Sequence, residues 1–385
     1  MRLATLAAAA CFAASSALAA DFQLPKQLVW TAYGTGSAGY NQAVAIGAAL
    51  QVAAGINLRI LPAGNDVARL EPLRQGKVPF SANGIGVYLA QEGVFAFAGK
   101  DWGPQKIRLL ASNAGGGVAM SLGVARDACE KVGKPDCKGF TFADLKGLRV
   151  AWIKGAPALN VNSTAWLAYG GLGWDDVEKV EFGGFGAAWN GLVEGTVDAA
   201  FSATNAGNCY EAAAGPRGLF WPPFDPTDEA AFRRLLTVAP YYIKVHATVG
   251  ATIDGTEGRD MAAFAYPILI GLDSTAPDLA YNMTKAMFEL LPMYSGKAPG
   301  IDGWGLQFQK FDWVIPYQKG AVRYYKEAGV WSDEAQAHND RLIARQDALA
   351  KAWAALRAEN PQDWEAAWKQ KRREALKAGG FDTAF

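Results

Sequence analysis

Residues 28–50 read LVWTAYGTGSAGYNQAVAIGAAL, and the order of the three parts of this stretch decides the fold. Leu28-Val29-Trp30-Thr31-Ala32-Tyr33 is a short β-prone run. Gly34-Thr35-Gly36-Ser37-Ala38-Gly39 follows as a glycine-rich turn, and residues 40–50 place Val44, Ala45, Ala48 and Ala49 at helical spacing. Strand, turn and helix in that order set the first free N–H groups of a helix beside an open backbone, which holds an anion without a cationic side chain.

Two ligands suit such a cradle. Gly34, Gly36 and Gly39 match G-x-G-x-x-G between a strand and a helix, the arrangement that binds a dinucleotide. A dinucleotide site also needs an acid at the tip of the next strand to hold the ribose. Here Ile56-Asn57-Leu58-Arg59-Ile60-Leu61 runs into Pro62-Ala63-Gly64, with Asp66 only later, so a small anionic solute is the favoured reading. The plain alternative is that the glycines only make a tight turn.

The first residues favour export. Arg2, an apolar run to Ala14 and Ala17-Leu18-Ala19 before Ala20-Asp21 have the form of a secretory signal peptide cleaved after Ala19, which places the mature protein in the periplasm. The charges balance, 37 basic against 37 acidic, which gives no basic excess for nucleic acid or a membrane surface. In an oxidising compartment Cys129 and Cys137, which bracket a short polar segment, are expected to form a local disulfide, leaving Cys209 as a buried thiol. With only His246 and His338 in the chain, no zinc-type ligand set can be assembled, and neither a metal nor another cofactor is expected.

The rest of the chain alternates. Strands are expected over residues 57–61, 80–83, 107–112, 120–125 and 148–153, with helices over 40–53, 68–75 and 158–169, and Asn65 or Asp66 serves as the N-cap of the second helix. The alternation predicts an α/β fold of two lobes with a hinge and a central cleft. The expected division is a leader over 1–19, lobe one over 20–113, lobe two over 114–246, a return to lobe one over 247–330, and a C-terminal helical extension over 331–385. An internal echo supports the pairing of lobes. Leu73-Arg74-Gln75-Gly76 before Phe80-Ser81-Ala82-Asn83 parallels Leu192-Val193-Glu194-Gly195 before Phe201-Ser202-Ala203-Thr204-Asn205. In the extension, Leu342, Leu349, Trp353 and Leu356 form an apolar stripe, with Arg341, Arg345, Asp347 and Lys351 on other faces.

With these motifs in view, the chain resembles the extracytoplasmic solute receptors of TRAP transporters, TAXI type. The likeness is carried by the glycine turn and its small-residue helix, by Leu61-Pro62-Ala63-Gly64-Asn65-Asp66, by Asp144-Leu145-Lys146-Gly147-Leu148-Arg149-Val150, by Gly195-Thr196-Val197-Asp198-Ala199-Ala200-Phe201, and by the later Pro240-Tyr241-Tyr242 and residues 278–288. The resemblance implies a periplasmic binding protein of type II-like form that closes on a small organic anion, a carboxylate or an amino acid such as glutamate, and hands it to a membrane permease driven by an ion gradient. Where the family has a Tyr-Tyr pair after the glycine turn, this chain has Tyr40-Asn41.

For the pocket, Thr35, Gly36, Ser37 and Tyr40 are expected to offer amides and hydroxyls to a carboxylate, with Ser37 alternatively a simple N-cap. Asn65 and Asn83 are candidates from the same lobe. From the opposing lobe come the turn and helix start at Ala156 and Asn160, with Lys154 the nearest candidate cation, then Thr204 and Asn205. Trp189 is placed either against the solute or in the core. An exported enzyme is the rival class. No G-x-S-x-G elbow and no metal set support it, so a binding protein rather than an enzyme is expected.

Overall fold

The computed structural model describes residues 21–383, so the leader expected over 1–19 lies outside the described residues. The chain enters through β1 (Gln27–Tyr33), and Ser37 starts the helix Ala38–Ala54, its Oγ accepting the Tyr40 N–H at 3.3 Å. Gly36 takes a positive φ of 84°, which makes it the turning residue. Gly39 has a different task. It lies inside the helix, where a Cβ would sit 2.6 Å from the Tyr33 ring, so its missing side chain lets the helix pack on β1.

Further along come β2 (Asn57–Ala63), β3 (Phe80–Asn83), β4 (Ile107–Ser112), β5 (Met120–Ala125), β6 (Arg149–Ile153), β7 (Glu178–Phe182), β8 (Ala199–Ala203) and β9 (Leu219–Phe220). The hairpin β10 (Ile243–Ala247) and β11 (Arg259–Ala263) leads to β12 (Ile268–Leu272). They form two five-stranded sheets with the orders β2-β1-β3-β12-β4 and β7-β6-β8-β5-β9. In each sheet the first three strands are parallel, and a strand that arrives from the other lobe's side of the sequence is inserted antiparallel, β12 in one and β5 in the other. The two echoing segments therefore hold equivalent places, β3 in one sheet and β8 in the other. Central strands such as β3 and β8 are buried along their whole length because helices cover both faces, whereas β2 and β7 are edge strands with exposed residues.

The result is a two-lobed α/β architecture with one five-stranded sheet in each lobe. The chain passes between the sheets at residues 113–119 and again at 264–267. Thr204 ties the first crossing to the loop between β10 and β11, donating its Oγ1 proton to Val249 O at 2.8 Å and accepting the Ala119 N–H at 3.1 Å. The sulfurs of Cys129 and Cys137 are bonded, and Cys209 is a fully buried thiol whose pKa burial pushes up to about 12.

The C-terminal helices Asp333–Glu359 and Trp364–Ala378 pack against the first lobe. Trp364 Nε1 donates to Ala98 O and Trp368 Nε1 to Gly93 O, while Trp353 fills the space beside Gly103. Leu349, Trp353 and Leu356 are buried in this contact and Leu342 is half-buried. Arg345, set on a face other than the apolar stripe, is nonetheless buried. Its guanidinium clamps the fully buried Glu92 at 2.7 and 2.8 Å, and Arg372 bonds the same carboxylate. The hydrophobic stripe on its own helix gives no sign of a distant acid, so the pattern does not reveal this burial.

Candidate functional site

The carboxyl ends of β1, β2 and β3 meet those of β6, β7 and β8, the end of an open α/β sheet where ligands bind. In this structure the lobes touch there. The Val67 N–H donates to Gly155 O at 3.2 Å, the Phe185 N–H to Gly64 O at 3.2 Å, and Asn205 Nδ2 to Pro299 O at 2.7 Å. The two glycine turns are not opposite each other. Gly36 faces Asn208, where a Cβ would fall 2.9 Å from Oδ1, whereas Gly155 lies over Asn65 of the Gly64-Asn65-Asp66 loop.

Between the lobes is a cavity of about 40 Å³, room for a water or two rather than a metabolite. Tyr33, Ser37, Asn65, Asp66 and Arg69 line it from the first lobe, and Ala158, Asn162, Phe185 and Ser202 from the second. A dinucleotide does not fit this space. A second cavity of about 470 Å³ adjoins it across Met120, Phe264 and Tyr266, with walls from both crossings and from Tyr241, Tyr242 and Trp313.

The chemistry of the cleft centres on Arg69 and Asp66. The helix Asp66–Arg74 begins at Asn65, whose Oδ1 accepts the Ala68 N–H at 2.9 Å, and i,i+3 spacing brings Arg69 Nη2 to Asp66 Oδ1 at 2.5 Å. Both side chains are buried, at 1% and 2% exposure. The guanidinium is fixed on every side: Nε donates to Asn83 Oδ1 at 3.1 Å, Nη1 to Ala63 O at 3.3 Å, and Cζ lies 3.6 Å from the centre of the Tyr33 ring. Asp66 Oδ2 reaches across the seam to accept the Ala158 N–H at 2.9 Å, in the first turn of the helix Pro157–Tyr169. Burial raises the Asp66 carboxyl above its usual range, with Arg69 pulling the other way, and burial likewise raises the Tyr33 phenol.

The expected site residues divide accordingly. Ser37 and Asn65 line the cavity, and both also cap helices. Asn83 lies beneath Arg69, which it orients, with Nδ2 on Ser81 Oγ. Thr35 is exposed, and Thr35, Gly36 and Tyr40 do not line the cavity. Asn160 bonds both the N–H and the carbonyl of Ile153, bracing its own turn, and with Ala156 borders a separate depression. Thr204 braces Ala119 against Val249, and Asn205 bonds Pro299 O. Trp189 is in the core, donating to Phe201 O and packing against Trp221.

Two expectations need correction. The cation in the cleft is Arg69, not Lys154, which is exposed and paired with Glu181 at 3.0 Å. Nor is the cradle purely main-chain, because a buried guanidinium stands in it. The D-x-x-R spacing at the start of a capped helix was the available signal, but it reads equally as a solvated surface pair. Among the described residues, no group of three or more His, Cys, Asp or Glu is placed to hold a metal, and no helix is long and apolar enough to cross a membrane.

Comparison with known proteins supplies the family. A family model described as the NMT1-like family matches residues 34–329 of the 385. No curated protein matches the chain. Similar solved structures include a protein from Bordetella bronchiseptica RB50, at 15% identity and a TM-score of 0.46, covering 82% of this chain and 98% of that one. An ABC transporter periplasmic binding protein from Brucella ovis with glutathione bound is similar at 12% identity and 0.41, covering 68% and 67%. An amino acid ABC transporter substrate-binding protein from Streptococcus pneumoniae bound to L-arginine is similar at 10% identity and 0.37, covering 83% and 96%.

Proposed function

The chain belongs to the NMT1-like family, and on that premise we propose that it is an extracytoplasmic receptor for a small organic acid. It captures the acid between its lobes in the periplasm and delivers it to the permease of a TRAP-type, ion-gradient-driven transporter, as a TAXI-type subunit does. The observation that carries this reading is Arg69: a fully buried guanidinium at the seam of two hinged lobes, beside helix starts from both. A cation in that position is costly to bury and is well suited to receive a carboxylate. The helix that begins after Ser37 adds partial positive charge from the same side, and that beginning at Pro157 adds it from the other. Solute contacts made only when the lobes meet would draw the cleft shut.

The protein acts as a carrier rather than an enzyme: it binds and releases without changing the solute. Mass spectrometry of whatever the purified protein retains, followed by titration with that compound, tests this. One-to-one saturable binding with the compound recovered intact is the expected result. Turnover of the compound, or retention of no small molecule together with no binding of any organic acid, would remove the reading.

A further inference from the structure

We infer that the cavity of about 470 Å³ beside the two crossings is a second binding site, distinct from the cleft, and that it takes a flat, uncharged, mainly apolar molecule built on an aromatic ring. The inference does not rest on the receptor reading above. With the lobes in contact the cleft cavity has only about 40 Å³, whereas this one keeps a volume within the range of about 300–1,000 Å³ in which small-molecule pockets fall. Met120, Phe264 and Tyr266 line both cavities and stand between them. A ring-bearing molecule can therefore be held while the cleft is shut.

Five aromatic side chains line the larger cavity: Tyr241, Tyr242, Phe264, Tyr266 and Trp313. Three of them brace one another. Tyr241 and Tyr242 stack with ring centres 5.6 Å apart, and Phe264 meets them edge-on at 5.2 and 5.0 Å. Tyr241 is further fixed by its hydroxyl, which donates to Asn162 Oδ1 at 3.0 Å. A ring entering here meets aromatic walls that are already in place, and ring pairs contribute beyond the area they bury. The Pro240-Tyr241-Tyr242 motif, none of whose residues lines the cleft cavity, gains a role in this way.

The charged side chains of the lining are Lys310 and Asp312, both exposed and opposite in sign. His246 is exposed as well, and its ring nitrogens are engaged by Asp260 Oδ1 at 2.9 Å and Glu257 O at 3.0 Å. Among Met120, Val118, Ala263 and the aromatic rings a charged body would lose its hydration without gaining a counter-charge, and water would find few hydrogen-bond partners. An uncharged ring suffers neither loss. Its polar substituents belong at the rim, within reach of Lys310 and Asp312.

The test titrates the full mature chain by calorimetry with indole and, as the aliphatic control, with 1-octanol, which has the same number of non-hydrogen atoms. One-to-one saturable binding of indole is expected, with 1-octanol at least tenfold weaker. Crystals soaked in indole should show it against Trp313 and Tyr242. Trp313→Ala removes one wall and should weaken indole at least tenfold; Val245→Trp, which fills the cavity from β10, should do the same and serves if the alanine variant does not fold. Absence of saturable indole binding to the native chain would overturn the inference, as would 1-octanol binding within tenfold of indole. So would indole located in the cleft beside Arg69, or an affinity that the folded variants leave within tenfold of the native value. All of these outcomes leave the receptor reading untouched, because the retained acid and Arg69 take no part in them.

Discussion

Arg345 sets Nε and Nη2 on the carboxylate of Glu92, at 2.7 and 2.8 Å, across 253 residues of sequence. Both are buried, and Arg372 completes the cluster. The pair fastens the helix Asp333–Glu359 to the end of the helix Gly86–Glu92, so the C-terminal helices are a structural part of the first lobe. Replacing Glu92 by Gln would leave two arginines buried without their counter-charge. A loss of about 3–5 kcal/mol of stability is expected from urea unfolding, and a loss below about 1 kcal/mol would contradict the clamp.

Arg69 and Asp66 give a second stability test. Arg69→Ala alone leaves Asp66 buried and uncompensated and is expected to cost about 3–5 kcal/mol. Adding Asp66→Ala should return more than half of that loss, because no buried charge then remains. A double variant as unstable as the single one would show that packing, not charge, sets the cost.

Ser37→Asp tests the cavity wall. Ser37 is buried, and its Oγ donates to Gly34 O at 2.7 Å as well as accepting the Tyr40 N–H. Aspartate keeps the cap but loses that donor and buries a charge, so the melting temperature should fall. Binding of the retained solute, measured well below the melting point, should weaken at least about tenfold, and unchanged binding would count against the site.

Gly64 and Gly184 approach each other across the seam, and a Cβ on Gly64 would lie 3.7 Å from Gly184 Cα. Gly64→Ala should fit, since that distance is an ordinary contact. Gly64→Val carries two further methyl groups into the seam and should hold the lobes apart, seen as a larger radius of gyration in X-ray scattering and loss of solute binding with near-native melting. An unchanged radius in the valine variant would refute the contact.

Asp198 predicts the acid limb of the stability curve. Burial pushes its carboxyl up, but hydrogen bonds from Arg149 at 2.8 and 3.0 Å and from Lys131 at 2.7 Å outweigh burial and hold it well below the usual range. A folded pKa below the unfolded value near 3.9 means that the cluster stabilises fully above about pH 5 and loses that contribution as pH falls through and below about 4. Asp198→Asn should therefore be much less stable than the native chain at pH 7, and the gap should narrow by pH 3. A gap independent of pH would show that the contribution is not ionic.

Local signals were legible where the cause was local. The strand, glycine turn and helix of residues 28–50 and the Asn65 cap follow from neighbours within a few positions. Arg69 went unmarked, the burial of Arg345 was not foreseen and Trp189 was undecided, since an arginine in a mixed helix or a tryptophan among thirteen carries no mark of its final surroundings. Asp66 and Ala158 are 92 positions apart, and only the folded lobes bring them to 2.9 Å.

By itself, then, the sequence determined the two α/β lobes and the face on which they meet, because backbone periodicity, caps and turns act over one helix turn or one strand. The tertiary structure decided which charges are removed from water at that face. Desolvation depends on every segment packed around a group, and only when Tyr33, Asn83, Ala63 and the start of the opposite helix close over Arg69 and Asp66 does an ordinary i,i+3 pair become the charged centre of the cleft.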